Sequence, residues 1–286
     1  MTTETGGCSP AQKKTATESE IRVRTGAVIT LTGILVLYFS RYAYVLEAAA
    51  AMLSIMGIVE LLRAAKCCTW YNVLLLSLIA AAVCMRRLPY YTEILLFVWV
   101  LAIVAFALFM SRMKEARSIG FWHILPCALM LPIFFYSAVE IRRWPQGLAV
   151  LIFVTLGCTV NDVGAYFVGR AVGTHKLAPI ISPGKTVEGG LGGMVSSVIL
   201  MSLIVSLYSQ CAGVEIRYGW LFLYLFLASI VGQFGDLAMS TIKRTVGIKD
   251  FSRVLPGHGG ILDRFDSFLF VAPFAVLYGN MTGCFL

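Results

Sequence analysis

LPGHGGILDRFDSFLFVAPFAVLY (Leu255–Tyr278) joins two unlike kinds of sequence. Its first half carries three glycines, a histidine, an arginine and two aspartates, and its second half, from Phe268, is almost wholly apolar. Apolar blocks of this kind recur at about 26–40, 43–62, 71–85, 91–110, 120–138, 147–168, 190–208, 218–239 and 262–284. A bilayer core takes ~20 apolar residues per helix. No alternation of period two points to a membrane barrel instead. The expected fold is an all-α polytopic integral membrane protein of about nine transmembrane helices. The first and third blocks are short for a full crossing, which tilt or re-entry would accommodate.

Composition agrees with this. The chain has 286 residues, 59% of them hydrophobic and 13% charged, with a mean hydropathy of +0.83. Soluble domains hold roughly a quarter charged residues. Residues 1–25 are polar and read as a disordered cytoplasmic tail. With no short basic run before the first apolar block, a cleaved signal peptide is not expected. Residues 26–286 read as one helical domain without internal repeats. The eight cysteines form no CxxC pair and read as buried free thiols.

Lysine and arginine set the orientation of such a bundle. With nine passes and the N-terminus inside, seventeen of these residues fall on the inner side, and six (Arg41, Arg86, Arg87, Arg142, Arg143 and Arg217) fall outside. The inner loops then include Lys114 and Arg117, as well as the two richest in motifs, 169–189 and 240–261. The two motif-rich loops are thus expected at the cytoplasmic face of a plasma membrane. The net charge of +8 follows mainly from this bias. Its remainder suits lipid head groups or nucleotide phosphates, so nucleic acid is not an expected partner.

The five aspartates are Asp162, Asp236, Asp250, Asp263 and Asp266, all in the second half of the chain. Four of them, Asp162, Asp236, Asp263 and Asp266, fall at the inner ends of three expected helices. A carboxylate inside a membrane segment costs ~2.5 kcal/mol or more on insertion scales and usually marks function. Gathered carboxylates also repel, and a divalent cation removes that repulsion. Oxygen ligands without a His or Cys cluster point to Mg²⁺ rather than zinc. In GDLAMSTIKR (Gly235–Arg244), Asp236, Ser240 and Lys243 share one helical face, a carboxylate, hydroxyl and ammonium suited to a metal-bound phosphate. The glycines of LPGHGG let backbone N–H groups approach phosphate, and His258 is either a phosphate donor or a packing residue. In the other loop, GKT (Gly184–Thr186) is not a P-loop, because Pro179 stands where that pattern needs glycine. Lys176 and Lys185 remain as phosphate contacts there, and Glu188 either orients Lys185 or joins the metal.

STIKRTVGIKDFSRVLPGHGGILDRFD (Ser240–Asp266) resembles the signature of the phosphatidate cytidylyltransferases, or CDP-diacylglycerol synthases. Asn161-Asp162, Ser182-Pro183, Lys185-Thr186, Glu188-Gly189 and Gly235-Asp236 extend the resemblance over about residues 160–270. Gly184 departs from a lysine frequent in that family, and Val59 before Glu60 departs from an aromatic. The resemblance implies transfer of CMP from CTP to phosphatidic acid, giving CDP-diacylglycerol and pyrophosphate with Mg²⁺. It leaves open a second, monovalent cation, and it suggests a homodimer. Asp263 is expected to be the firmest metal ligand, with Asp236, Asp266 and Asp162 beside it. Lys243 and Ser240 join Asp263 and Asp236 as catalytic residues. Arg244, Lys249, Lys185, His258 and Ser182 are expected to bind substrate, and Asp250 to orient Lys249 or Arg253. The attacking phosphomonoester is largely ionised near neutrality, so no general base is needed. Two alternatives are an isoprenoid-type lipid phosphate as acceptor and, in another class, a membrane transporter. The absence of pseudo-symmetric halves and of charge at the midplane weighs against the transporter.

Overall fold

The computed structural model describes residues 10–42, 44–85, 90–112 and 121–285. Residues 1–9 and the basic positions Arg86, Arg87, Lys114 and Arg117 lie outside the described residues. Among the described residues the chain forms nine helices and one hairpin. In order these are α1 (Pro10–Phe39), α2 (Val45–Ala64), α3 (Trp70–Met85), α4 (Tyr91–Arg112), α5 (Phe121–Arg142), α6 (Gly147–Val172), β1 (Lys176–Ala178), β2 (Ser182–Thr186), α7 (Val187–Ala212), α8 (Tyr218–Thr245) and α9 (Leu262–Thr282).

Each helix falls on one expected apolar block, but the ends differ. Helix α1 begins at Pro10, well before the expected start near 26, so residues 10–25 are helical. Helix α8 runs past 239 to Thr245 and takes in Ser240, Lys243 and Arg244. No glycine or proline interrupts Asp236–Val246, and Gly247, at φ +78°, turns the chain away.

Six helices are long and apolar enough to cross a membrane: α1 from Glu20, α2, α5 from Ile124, α6, α7 and α8. Helix α3 and the Tyr91–Val104 part of α4 are apolar but shorter. Helix α9, the expected ninth span, is not among the six. It carries Asp263, Arg264, Asp266 and Asn280, and most of it from Leu262 to Gly279 is buried within the protein. A helix surrounded by other helices can carry polar groups that lipid would reject.

Helices α5 and α9 form the centre. Phe134, Phe135 and Tyr136 of α5 are almost fully buried, and Phe134 meets Phe270 of α9 edge to face at 5.5 Å. Helices α6 and α7 pack through small residues, as helices in lipid do when packing rather than water exclusion holds them together. A side chain at Gly164 of α6 would come 2.6 Å from the Cβ of Ser196 on α7.

Between α6 and α7 the sequence reading expected a loop, and the structure builds a small antiparallel hairpin, with Lys176 opposite Thr186 and Ala178 opposite Ser182. The GKT segment is thus the end of β2. Thr186 is the N-cap of α7, its hydroxyl accepting from the Gly189 amide at 3.1 Å. This strand belongs to a hairpin and not to a βαβ unit, which agrees with setting the P-loop aside.

Candidate active site

The C-terminal part of α8, the start of α9, the later half of α6, the hairpin and the end of α2 meet at one end of the bundle. Helices α8 and α9 touch most closely at Gly235, where a Cβ would lie 2.9 Å from the Asp266 carbonyl. That contact sets Asp236 beside Asp266. Asp236 also faces Asp162 of α6, so three carboxylates from three helices act on one another electrostatically.

Asp236 carries two contacts. One oxygen pairs with the ammonium of Lys185 on β2, and the other accepts from the Ser240 hydroxyl one turn along at 3.3 Å. Among the described residues Asp266 accepts only from the Ser267 amide at 2.8 Å, and Asp162, which is exposed, accepts no hydrogen bond. The result is a group of three carboxylates with one ammonium paired to it and free lone pairs.

Asp263 is used differently. Its carboxylate is buried, 4% exposed, and pairs with the ammonium of Lys243 at 2.7 Å. Its second oxygen accepts from the amides of Phe251 and Gly260, both at 2.9 Å. The expected line of Asp236, Ser240 and Lys243 is therefore divided. Ser240 serves Asp236, while Lys243 turns to Asp263 and lies over the Phe251 ring. Asp263 fastens the 246–261 connector to α8.

Glu60 of α2 has the same kind of role and was missed by sequence reasoning as a site residue. It is 3% exposed and accepts from the Ser252 hydroxyl at 2.6 Å, the Ile261 amide at 2.9 Å and the Leu262 amide at 3.0 Å. A carboxylate at a helix start satisfies free N–H groups and suits the positive end of the helix dipole. Gly260 makes this approach possible, since a Cβ there would lie 2.7 Å from both Glu60 oxygens. The signal was available, because an acid inside an apolar membrane block is unusual on its own. Gln233, also missed, donates to Asn161 at 3.2 Å and to the Gly190 carbonyl at 2.9 Å, joining α6, α7 and α8 beside the carboxylates.

The remaining expected residues divide as follows. Arg244 donates to the Ile181 carbonyl at 3.1 Å and the Ile248 carbonyl at 2.9 Å, tying the hairpin to the connector. Lys249 and Asp250 are exposed, and among the described residues Asp250 forms no ion pair with Lys249 or Arg253. Ser182 lies half-buried on β2. His258 sits beside Gly26 of α1, and its Nδ1 is buried without a partner. Glu188 neither orients Lys185 nor joins the aspartates. Its carboxylate accepts from the Thr174 hydroxyl at 2.9 Å and the His175 amide at 3.2 Å, and it lies 2.6 Å from the His175 ring.

The donor set suits a divalent cation in its chemistry. Asp162, Asp236 and Asp266 supply only hard oxygens, the chemistry Mg²⁺ prefers, and the Lys185 ammonium already stands beside two of them as a cation. The chemistry fits. As placed, no three His, Cys, Asp or Glu side chains among the described residues surround a single point closely enough to ligate one ion.

The phosphatidate cytidylyltransferase of Bacillus subtilis (strain 168) is 41% identical over 183 residues, which cover 64% of this chain and 65% of that protein. The Staphylococcus haemolyticus phosphatidate cytidylyltransferase is 49% identical over 129 residues, or 45% of this chain and 48% of that protein. That of Staphylococcus aureus (strain COL) is 44% identical over 141 residues, 49% of this chain and 51% of that protein. The aligned segments thus span between about half and just under two thirds of these relatives. The model of the cytidylyltransferase family matches residues 20–282, nearly the whole of the sequence, and the chain belongs to that family.

Proposed function

We propose that the protein transfers the cytidylyl group of CTP to phosphatidic acid, releasing pyrophosphate and forming CDP-diacylglycerol. The observation that carries this reading is the group of three facing carboxylates, Asp162, Asp236 and Asp266, with Ser240 and Lys185 bonded to Asp236, at the end of a bundle of membrane-length helices. The names of the relatives support it.

A phosphate oxygen of the lipid forms a bond to the α-phosphorus of CTP, and the bond from that phosphorus to the oxygen bridging to the β-phosphate breaks. The electron pair leaves with pyrophosphate. The attacking oxygen is already anionic near neutrality, so the residues bind and orient and need not remove a proton. Asp236, Asp266 and Asp162 would hold Mg²⁺, which supplies charge neutralisation at the phosphates. Lys185 pairs with phosphate once it leaves Asp236, and Lys249, exposed and unpaired, is free to do so from the connector. Arg244 holds the hairpin against α8 and so sets where Lys185 stands. Asp263, Lys243 and Glu60 fix the connector and the start of α9.

In this reading all nine helices cross or enter the membrane with the N-terminus in the cytoplasm, and the carboxylates open to the cytoplasmic side, where CTP is found. The positive-inside distribution supports this orientation.

The test uses purified protein in detergent with CTP labelled at the α-phosphate. Label is expected to enter the lipid phase with phosphatidic acid, to stop with EDTA and to resume with added Mg²⁺. Transfer to a polyprenyl phosphate in place of phosphatidic acid would assign a different acceptor. A folded sample that transfers label to neither lipid would overturn the enzymatic reading.

A further inference from the structure

Helix α1 is held near its two ends. From Glu20 to Phe39 each of its residues is at least partly exposed, and a side chain at Gly33 would meet nothing within 4 Å. Toward its C-terminus Val36 and Leu37 pack on the core, and Arg142 donates to the Ser40 hydroxyl at 3.0 Å. Toward its N-terminus Arg22 and Gly26, one helical turn apart on one face, lie against the turn Leu255–Gly260. This turn leads directly into α9, which carries Asp263 and Asp266.

The turn is tight and closely surrounded. The Leu255 amide donates to the Gly259 carbonyl at 2.9 Å, and the His258 amide to the Leu255 carbonyl at 2.8 Å. Gly257, at φ +76°, and Gly259, at φ +82°, supply the left-handed backbone that this path needs. Asp263 holds the Gly260 amide, and Glu60 holds those of Ile261 and Leu262. Helix α1 covers the apex. A Cβ at Gly257 would lie 2.6 Å from the Cγ of Arg22, and a Cβ at Gly26 would lie 3.5 Å from the Nε2 of His258. The imidazole is set between the helix and the turn. Its Nδ1 is buried without a partner, and among the described residues neither ring nitrogen makes a hydrogen bond. A ring held in this way by packing serves as a spacer whose thickness fixes how far the turn stands from α1.

We infer that Gly26 is a positioning residue for the carboxylate site: by leaving room for the His258 ring, α1 sets the turn, and the turn sets the first residues of α9. Asp266 stands four residues beyond Leu262, about one helical turn, so a displaced turn moves that carboxylate relative to Asp236 on α8. The consequence for turnover rests on the cytidylyl-transfer reading, while the geometry does not. Glycine at position 26 is thereby explained in a helix that otherwise tolerates larger side chains along its exposed length.

The test uses the full chain in detergent, with hydrogen exchange read by mass spectrometry over residues 253–262 and transfer from α-labelled CTP to phosphatidic acid. Gly26→Ala adds a carbon at ordinary contact distance and should match wild type in both. Gly26→Leu needs space the imidazole occupies. It should speed exchange in the turn and lower kcat/KM for CTP on the order of 100-fold, the effect of a displacement near 1 Å, with the melting temperature unchanged. His258→Gly removes the spacer and should itself slow transfer. Adding Gly26→Leu to it refills the space, so the double variant should be no slower than His258→Gly alone. Effects of the two substitutions that multiply would mean independent action and would overturn the inference. So would wild-type exchange in Gly26→Leu, or faster exchange with wild-type transfer. If wild-type protein transfers no label, the exchange measurements on the three variants still decide the geometry. If Gly26→Leu does not fold, Gly257→Ala carries the test. It should speed exchange in the turn, Arg22→Ala should restore part of the loss, and no restoration would overturn the contact.

Discussion

Asp236 and Asp263 lie at the same end of the bundle, on adjacent helices, and their surroundings differ. Asp236 is half-buried, with one ammonium and one hydroxyl as partners. Asp263 is buried, and its oxygens are taken by Lys243 and two backbone amides. Glu60 repeats the second pattern with two amides and a hydroxyl. The difference lies in the donors around each carboxylate. A carboxylate supplied with backbone N–H groups holds a loop in place. One that faces other carboxylates, with a partly exposed ammonium beside it, can exchange that partner for a metal or a phosphate.

The largest expected effect comes from Asp236→Asn. Transfer should fall about 10³-fold, or about 4 kcal/mol in the barrier, with the melting temperature unchanged. Asp263→Asn breaks the comparison from the other side. It leaves the Lys243 ammonium buried without its charge partner, and unfolding measurements should show a loss of about 3 kcal/mol. If the variant instead keeps wild-type stability and loses only turnover, Asp263 is a ligand and the division between the two groups is wrong. Glu60→Gln turns an acceptor oxygen into an amide NH₂ donor facing backbone N–H groups. About 2 kcal/mol of stability should be lost, with faster hydrogen exchange at Ile261 and Leu262. Ser240→Ala removes one neutral donor from Asp236 and should slow transfer about fivefold without shifting the melting curve.

Much of this was legible in the sequence. Apolar blocks located all nine helices, and the i, i+4 spacing correctly joined Asp236 to Ser240. The seventh position on that face did not follow, because Lys243 finds a closer partner across the α8–α9 contact. Sequence spacing reports which residues share a face and carries no information about what the next helix presents. For the same reason Asp263, first in the expected ligand set, could not be separated from Asp266 three residues on. Their different burial comes from the connector that folds over one of them. Glu60 was legible as an anomaly in an apolar block, but its partners lie about two hundred residues away in the chain. Glu188 was expected either to orient Lys185 or to join the metal, and the hairpin directs it to the turn before β1. The hairpin left no periodic signal, since β1 has three residues and β2 five, two of them proline and glycine.

The most direct measurement compares cytidylyl transfer per folded molecule in Asp236→Asn and in wild-type protein, with α-labelled CTP, phosphatidic acid and Mg²⁺ in one detergent preparation. The account expects wild-type melting and about a thousandth of the wild-type label in the lipid phase for the variant. Transfer by Asp236→Asn within tenfold of wild type would contradict it.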